Sequence, residues 1–71
     1  MTRMERIRMK FRMQIGAIKG VYDWTDEDLA KALGCDVRTI GNIRKSPVSS
    51  KHTAVIEDMY NEILYRISKY D

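Results

Sequence analysis

A chain of 71 residues with 44% hydrophobic and 32% charged side chains can bury one small core and is too apolar for an unstructured tail. No apolar run approaches the ~20 residues that span a bilayer, and the charged N-terminal stretch is unlike a secretory leader. The expectation is a single cytoplasmic domain over residues 1 to 71, with no membrane partner and no space for a separate effector or catalytic unit. The formal net charge of +3 is unevenly spread. Residues 1 to 20 set Arg3, Arg6, Arg8, Lys10, Arg12 and Lys19 against Glu5, and residues 36 to 51 set Arg38, Arg44, Lys45 and Lys51 against Asp36, while the stretches between and after are net acidic. Basic charge gathered in two segments suits a polyanionic partner.

From Met4 onward, Ile7, Phe11, Ile15 and Ile18 recur at three- and four-residue steps, which predicts an amphipathic helix ending near Gly20. Gly16 inside it costs about 1 kcal/mol relative to alanine. Met4, Met9 and Met13 read as core or partly exposed gap-fillers, with a partner surface as the alternative.

Thr25 followed by Asp28 makes a capping-box variant, flanked by Trp24 and Leu29 at the staple positions, so a helix starts at Asp26 and runs to Leu33. Gly34 ends it where the chain must turn with φ > 0. Asp36 caps the next helix, Val37 to Lys45, and Cys35 with Ile40 repeats the staple. Pro47, Ser49 and Ser50 mark a polar loop. Beyond it Val55, Ile56, Met59, Tyr60, Ile63, Leu64, Ile67 and Tyr70 form a wide stripe, and no Gly or Pro interrupts residues 51 to 71, which predicts one long helix. A single small core covers one side of such a helix, so a homodimer using the rest of the stripe is expected; the alternative buries both edges against the first helix. The fold class is therefore all-α, a small helical domain.

Leu29, Ala30, Leu33, Gly34, Cys35, Asp36, Arg38, Thr39, Ile40 and Ile43 fall on the spacing of a helix-turn-helix, over about residues 25 to 45. Ala30 is small where the second helix must come close. Residues 24 to 45, with the Ser46–Pro47 continuation, resemble the Cro and phage-repressor type of helix-turn-helix DNA-binding proteins, including small prophage-borne members. If the second motif helix enters a major groove, its outward residues Val37, Arg38, Gly41 and Asn42 meet base edges. Arg38 suits guanine O6 and N7, Asn42 suits adenine, Val37 suits a thymine methyl, and Gly41 allows close approach. The resemblance further implies phosphate contacts from Thr39, Arg44, Lys45 and Ser46. One departure stands out: family members often carry Gln at the first position of the first motif helix, where this chain has Asp26, followed by Glu27 and Asp28, carboxylates that repel a phosphate. Arg3, Arg6 and Arg8 are placed to compensate along the duplex.

The expected function is a sequence-specific double-stranded DNA-binding transcription regulator, a Cro-type repressor, with no small-molecule effector. A DNA-packaging or recombination accessory, and a protein-interaction module on the same scaffold, are the alternatives. No catalytic motif, metal-ligand spacing or glycine-rich phosphate loop is present, so no enzymatic activity, metal or cofactor is expected. The single Cys35 reads as a structural thiol and the lone His52 as a solvated side chain.

Overall fold

The computed structural model describes residues 1 to 46 and 51 to 69, and these form four helices with no strand among them: α1 (Arg3–Tyr22), α2 (Asp26–Leu33), α3 (Val37–Lys45) and α4 (Thr53–Lys69). The protein is all-α, with a central helix-turn-helix in α2 and α3. Among the described residues no helix is long and apolar enough to cross a membrane. The polar loop expected at Pro47, Ser49 and Ser50 lies outside the described residues, as does Tyr70.

The starts of α1, α2 and α3 are each marked by a side chain that satisfies a backbone donor the helix cannot. Thr2 accepts from the Glu5 N–H at 3.2 Å. The Thr25 hydroxyl accepts from the Asp28 N–H at 3.3 Å while the Asp28 carboxylate accepts from the Thr25 N–H at 3.0 Å, a closed capping box with Asp in the Glu position. Asp36 accepts from the Arg38 N–H at 2.8 Å. The bounds of α2 and α3 agree with the expected ones.

The two left-handed turns define the chain path between helices. Gly34 has φ 72°, and its turn is closed by the Gly34 N–H donating to Lys31 O at 3.2 Å and the Cys35 N–H to Ala30 O at 2.9 Å, a paired arrangement that satisfies two terminal carbonyls. The first helix does not end near Gly20 as the sequence suggests. It continues to Tyr22 and stops at Asp23, which takes φ 56° and lets the Trp24 N–H reach Lys19 O at 2.9 Å. Aspartate tolerates this region better than most residues, and Gly20 has no turn to make. The extra turn stacks Tyr22 on Trp24, ring centroids 4.6 Å apart, and brings Trp24 against the core.

The core is one cluster: Phe11, Ile15 and Ile18 from α1, Leu29 and Ala30 from α2, Ile40 and Ile43 from α3, and Ile56 and Ile63 from α4. Six of these, Ile15, Ile18, Leu29, Ile40, Ile43 and Ile56, are completely closed to solvent. Helix α1 is the hub, packing on both α3 and α4, with Lys10 of α1 also paired to Glu57 of α4. Cys35 is half-buried against the cluster, where burial first and the Asp36 charge second push its thiol pKa up. The methionines of α1 are partly exposed and not part of the core: Met4, Met9 and Met13 are 37%, 54% and 51% exposed. The long last helix begins at Thr53, later than residue 51, after a turn at Lys51 and His52. Its stripe divides: Ile56 and Ile63 are buried, Met59 and Tyr60 lean on the core, and Val55, Leu64 and Ile67 stay exposed.

Candidate nucleic-acid interface

Helix α3 has two opposed faces, and its packing decides which one is available. Ile40 and Ile43 lie at a three-residue step and are fully buried, which locks the rotation of the helix about its axis. That rotation leaves Val37, Arg38, Asn42 and Lys45 exposed, at the helical spacing of one outward face. The Arg38 side chain is 88% exposed, with its Nε 3.4 Å from the Asp36 carboxylate that caps the helix. Gly41 lies on the same face, and a Cβ built there meets nothing within 4 Å. Among the described residues no neighbour requires glycine at this position.

Thr39, half-buried, and Lys45 and Ser46, both exposed, continue the surface toward the end of α3. There an open groove of about 630 Å³ is lined by Thr39, Asn42, Ile43, Lys45 and Ser46 together with Lys51 and His52 from the turn before α4. Lys51 and His52 were not singled out as contacts by the sequence. The only sequence signal was the basic balance of residues 36 to 51, and their position beside Lys45 depends on α4 folding back on α1. A second open groove runs along the opposite end of α3, lined by Lys19, Trp24, Thr25, Asp26, Glu27 and Val37.

Arg44 is placed differently from the expectation of a phosphate-facing cation. Its guanidinium donates from Nη1 to Asp26 Oδ2 at 3.0 Å and from Nη2 to Asp26 Oδ1 at 2.9 Å, a bidentate pair that uses the planar fork of arginine. The Lys19 Nζ lies 2.7 Å from the same carboxylate. One side chain from each of α1, α2 and α3 therefore meets at Asp26, each about one-third exposed. The repulsion expected from carboxylates at the start of α2 is correspondingly reduced: Asp26 is neutralised by two cations and Asp28 is turned into the capping box, with Glu27 left exposed. The hydrogen bonds from Arg44 and then Lys19 hold the Asp26 carboxyl well below the usual carboxylate range.

This depression has a pH signature. Because the unfolded carboxyl, near pH 4, takes up a proton before the folded one does, the pairing stabilises the fold fully above about pH 4 and is lost as pH falls through the folded pKa. Solvent screening at one-third exposure keeps the contribution to about 1 kcal/mol. Asp26→Asn is expected to melt below the parent chain at pH 6, with the gap closing toward pH 2. Thermal melts across that range check it, and a gap independent of pH would contradict the linkage.

Among the described residues no group of His, Cys, Asp and Glu side chains is placed to hold a metal ion. No known protein family, curated protein or solved structure matches the chain.

Proposed function

We propose that this protein is a small sequence-specific double-stranded DNA-binding transcription regulator, a repressor of the Cro type, that reads a major groove with α3. The observation that carries this reading is the division of α3: Ile40 and Ile43 seal one face into the core, while Val37, Arg38, Gly41, Asn42 and Lys45 occupy the other without a large buried partner. A short helix held this way by an adjoining helix and a tight turn can be pressed into a groove about 12 Å wide. Arg38 supplies paired donors for a guanine, Asn42 a donor and acceptor for an adenine, and Val37 an apolar contact for a thymine methyl. The missing side chain at Gly41 lets the helix axis approach the base edges.

Docking comes from the charged groove beyond α3. Thr39, Lys45 and Ser46 face phosphates in this reading, joined by Lys51 across the same groove. Arg44 has a different task from the one the resemblance implies. Its charge is committed to Asp26, so it holds α3 against α2 and α1 and orients the reading helix rather than neutralising a phosphate. Repression would follow from occupancy of an operator, with control through protein concentration and competition for sites.

Selection of bound duplexes from a random library at about 0.15 M salt tests the reading, because nonspecific attraction is already weakened there. A recovered motif is the expected result. Binding without a motif, lost as salt rises, would leave a nonspecific DNA protein, and absence of binding at low salt would reject nucleic acid as the partner.

A further inference from the structure

His52 is the one histidine of the chain, and the fold places it in the charged groove beyond α3. Its side chain is half-buried, and its backbone carbonyl accepts from the Ile56 N–H at 3.1 Å, which ties the residue into the first turn of α4. Thr39, Asn42, Lys45 and Ser46 line the groove from α3 and its end, and Lys51 lines it from the same turn as His52. The charges that share the groove with the imidazole are therefore of one sign. No carboxylate lines it among the described residues: Glu57 of α4 is paired with Lys10 of α1, Asp58 is exposed elsewhere on α4, and neither α1 nor α2 contributes a lining side chain.

Two ammonium groups and two hydroxyls in an open groove make a surface suited to a phosphate. An imidazole among them adds a contact that the lysines cannot. Histidine is the side-chain type whose charge changes between about pH 5 and 8, whereas lysine stays charged throughout that range. The protonated ring offers a phosphate oxygen a positive charge and donors on both nitrogens; the neutral ring offers one donor and no charge. A phosphate seated in the groove is held more tightly by the protonated ring. By reciprocal linkage, its arrival draws a proton from solvent onto the imidazole.

We propose that His52 is a DNA phosphate contact that couples affinity to pH, with binding strengthened as pH falls and up to one proton taken up per chain bound. The inference rests on the DNA-binding reading above and adds proton concentration to the ways in which occupancy is controlled. Because the bound state favours the charged ring, the gain in affinity is present at low pH and is lost as pH rises.

Phosphate contacts are indifferent to base sequence, so a labelled mixed-sequence duplex of about 20 base pairs at about 50 mM salt is a sufficient probe. Anisotropy titrations of the full chain at pH 5.5, 6.5 and 7.5 are expected to show affinity at least about threefold higher at the lowest pH, with a salt slope steeper by up to about 0.9. His52→Asn should bind at every pH as the parent does at pH 7.5. His52→Lys, which carries a fixed charge over this range, should bind at every pH as the parent does at pH 5.5, a rescue that a purely structural role for the ring would not give. Lys51→Gln should weaken binding throughout and keep the pH response. The terminal amine and all carboxylates are common to these variants, and circular dichroism at each pH checks that helical content is unchanged. Affinity of the parent that does not vary with pH, or a pH response that survives in His52→Asn or His52→Lys, would overturn this inference and leave DNA binding standing. Absence of binding at every pH would overturn both.

Discussion

Replacing Ile40 by alanine is expected to remove most of the stability of this domain. The side chain is completely buried at the point where α3 meets the rest of the core, so its loss combines the transfer cost of the missing methyl and methylene groups with an unfilled cavity, about 2–5 kcal/mol. Native domains are stable by only about 5–15 kcal/mol, and one this small lies toward the lower end. The same substitution releases the rotation of α3, so that Arg38 and Asn42 no longer share a defined outward face. Urea titration followed by circular dichroism at fixed protein concentration measures the effect. Ile67→Ala, at a position 56% exposed near the end of α4, is the matched control and should cost under about 1 kcal/mol. Similar losses in the two variants would mean that α3 is not held by the packing described.

Arg38→Ala is expected to leave folding nearly untouched and to damage sequence discrimination. The side chain is 88% exposed, and its ion pair with the capping Asp36 is a long one, so among the described residues the fold has little to lose. In the proposed DNA complex, removing two donors from a base edge is expected to cost about 1–3 kcal/mol and to relax preference at a single position. Lys45→Ala should instead weaken all duplexes alike and reduce the slope of log affinity against log salt by about 0.9, the mark of one lost phosphate contact. Arg44→Gln separates positioning from phosphate binding. It should lower the melting temperature through loss of the Asp26 pair, and leave that slope close to the parent value. Binding titrations over 50 to 300 mM salt with cognate and single-substituted duplexes give all three results. A slope for Arg44→Gln that falls as far as that for Lys45→Ala would return Arg44 to the phosphate contacts.

Local chemistry carries far in this chain. The ends of α2 and α3 are written in residues that act within four positions of themselves: Thr25 with Asp28, Asp36 with the Arg38 N–H, and Gly34 at positive φ. The apolar periodicity that sorts Ile40 and Ile43 from Arg38 and Asn42 is equally local, which is why the outward face of α3 could be named before its packing was known. Where the local signal had a competitor it misled. Gly20 looked like a stop, but Asp23 could make the left-handed turn and Trp24 had an apolar surface to reach, so the helix ran on.

The sequence by itself determined the four helices, the caps of α2 and α3, the apolar faces and the two basic segments, because each depends on residues a few positions apart. Only the tertiary structure decided what the charges do. Asp26 and Arg44 are separated by 18 residues, and nothing in their neighbourhoods pairs them until the turn at Gly34 brings the start of α2 beside the end of α3. Lys19 joins them because α1 extends to Tyr22 before turning. The exposure of Met9 and Met13 was likewise a tertiary matter, since α1 has one core to face and Phe11, Ile15 and Ile18 fill it. Pairing and burial across elements depend on how helices pack in three dimensions, and periodicity along one helix does not contain that information.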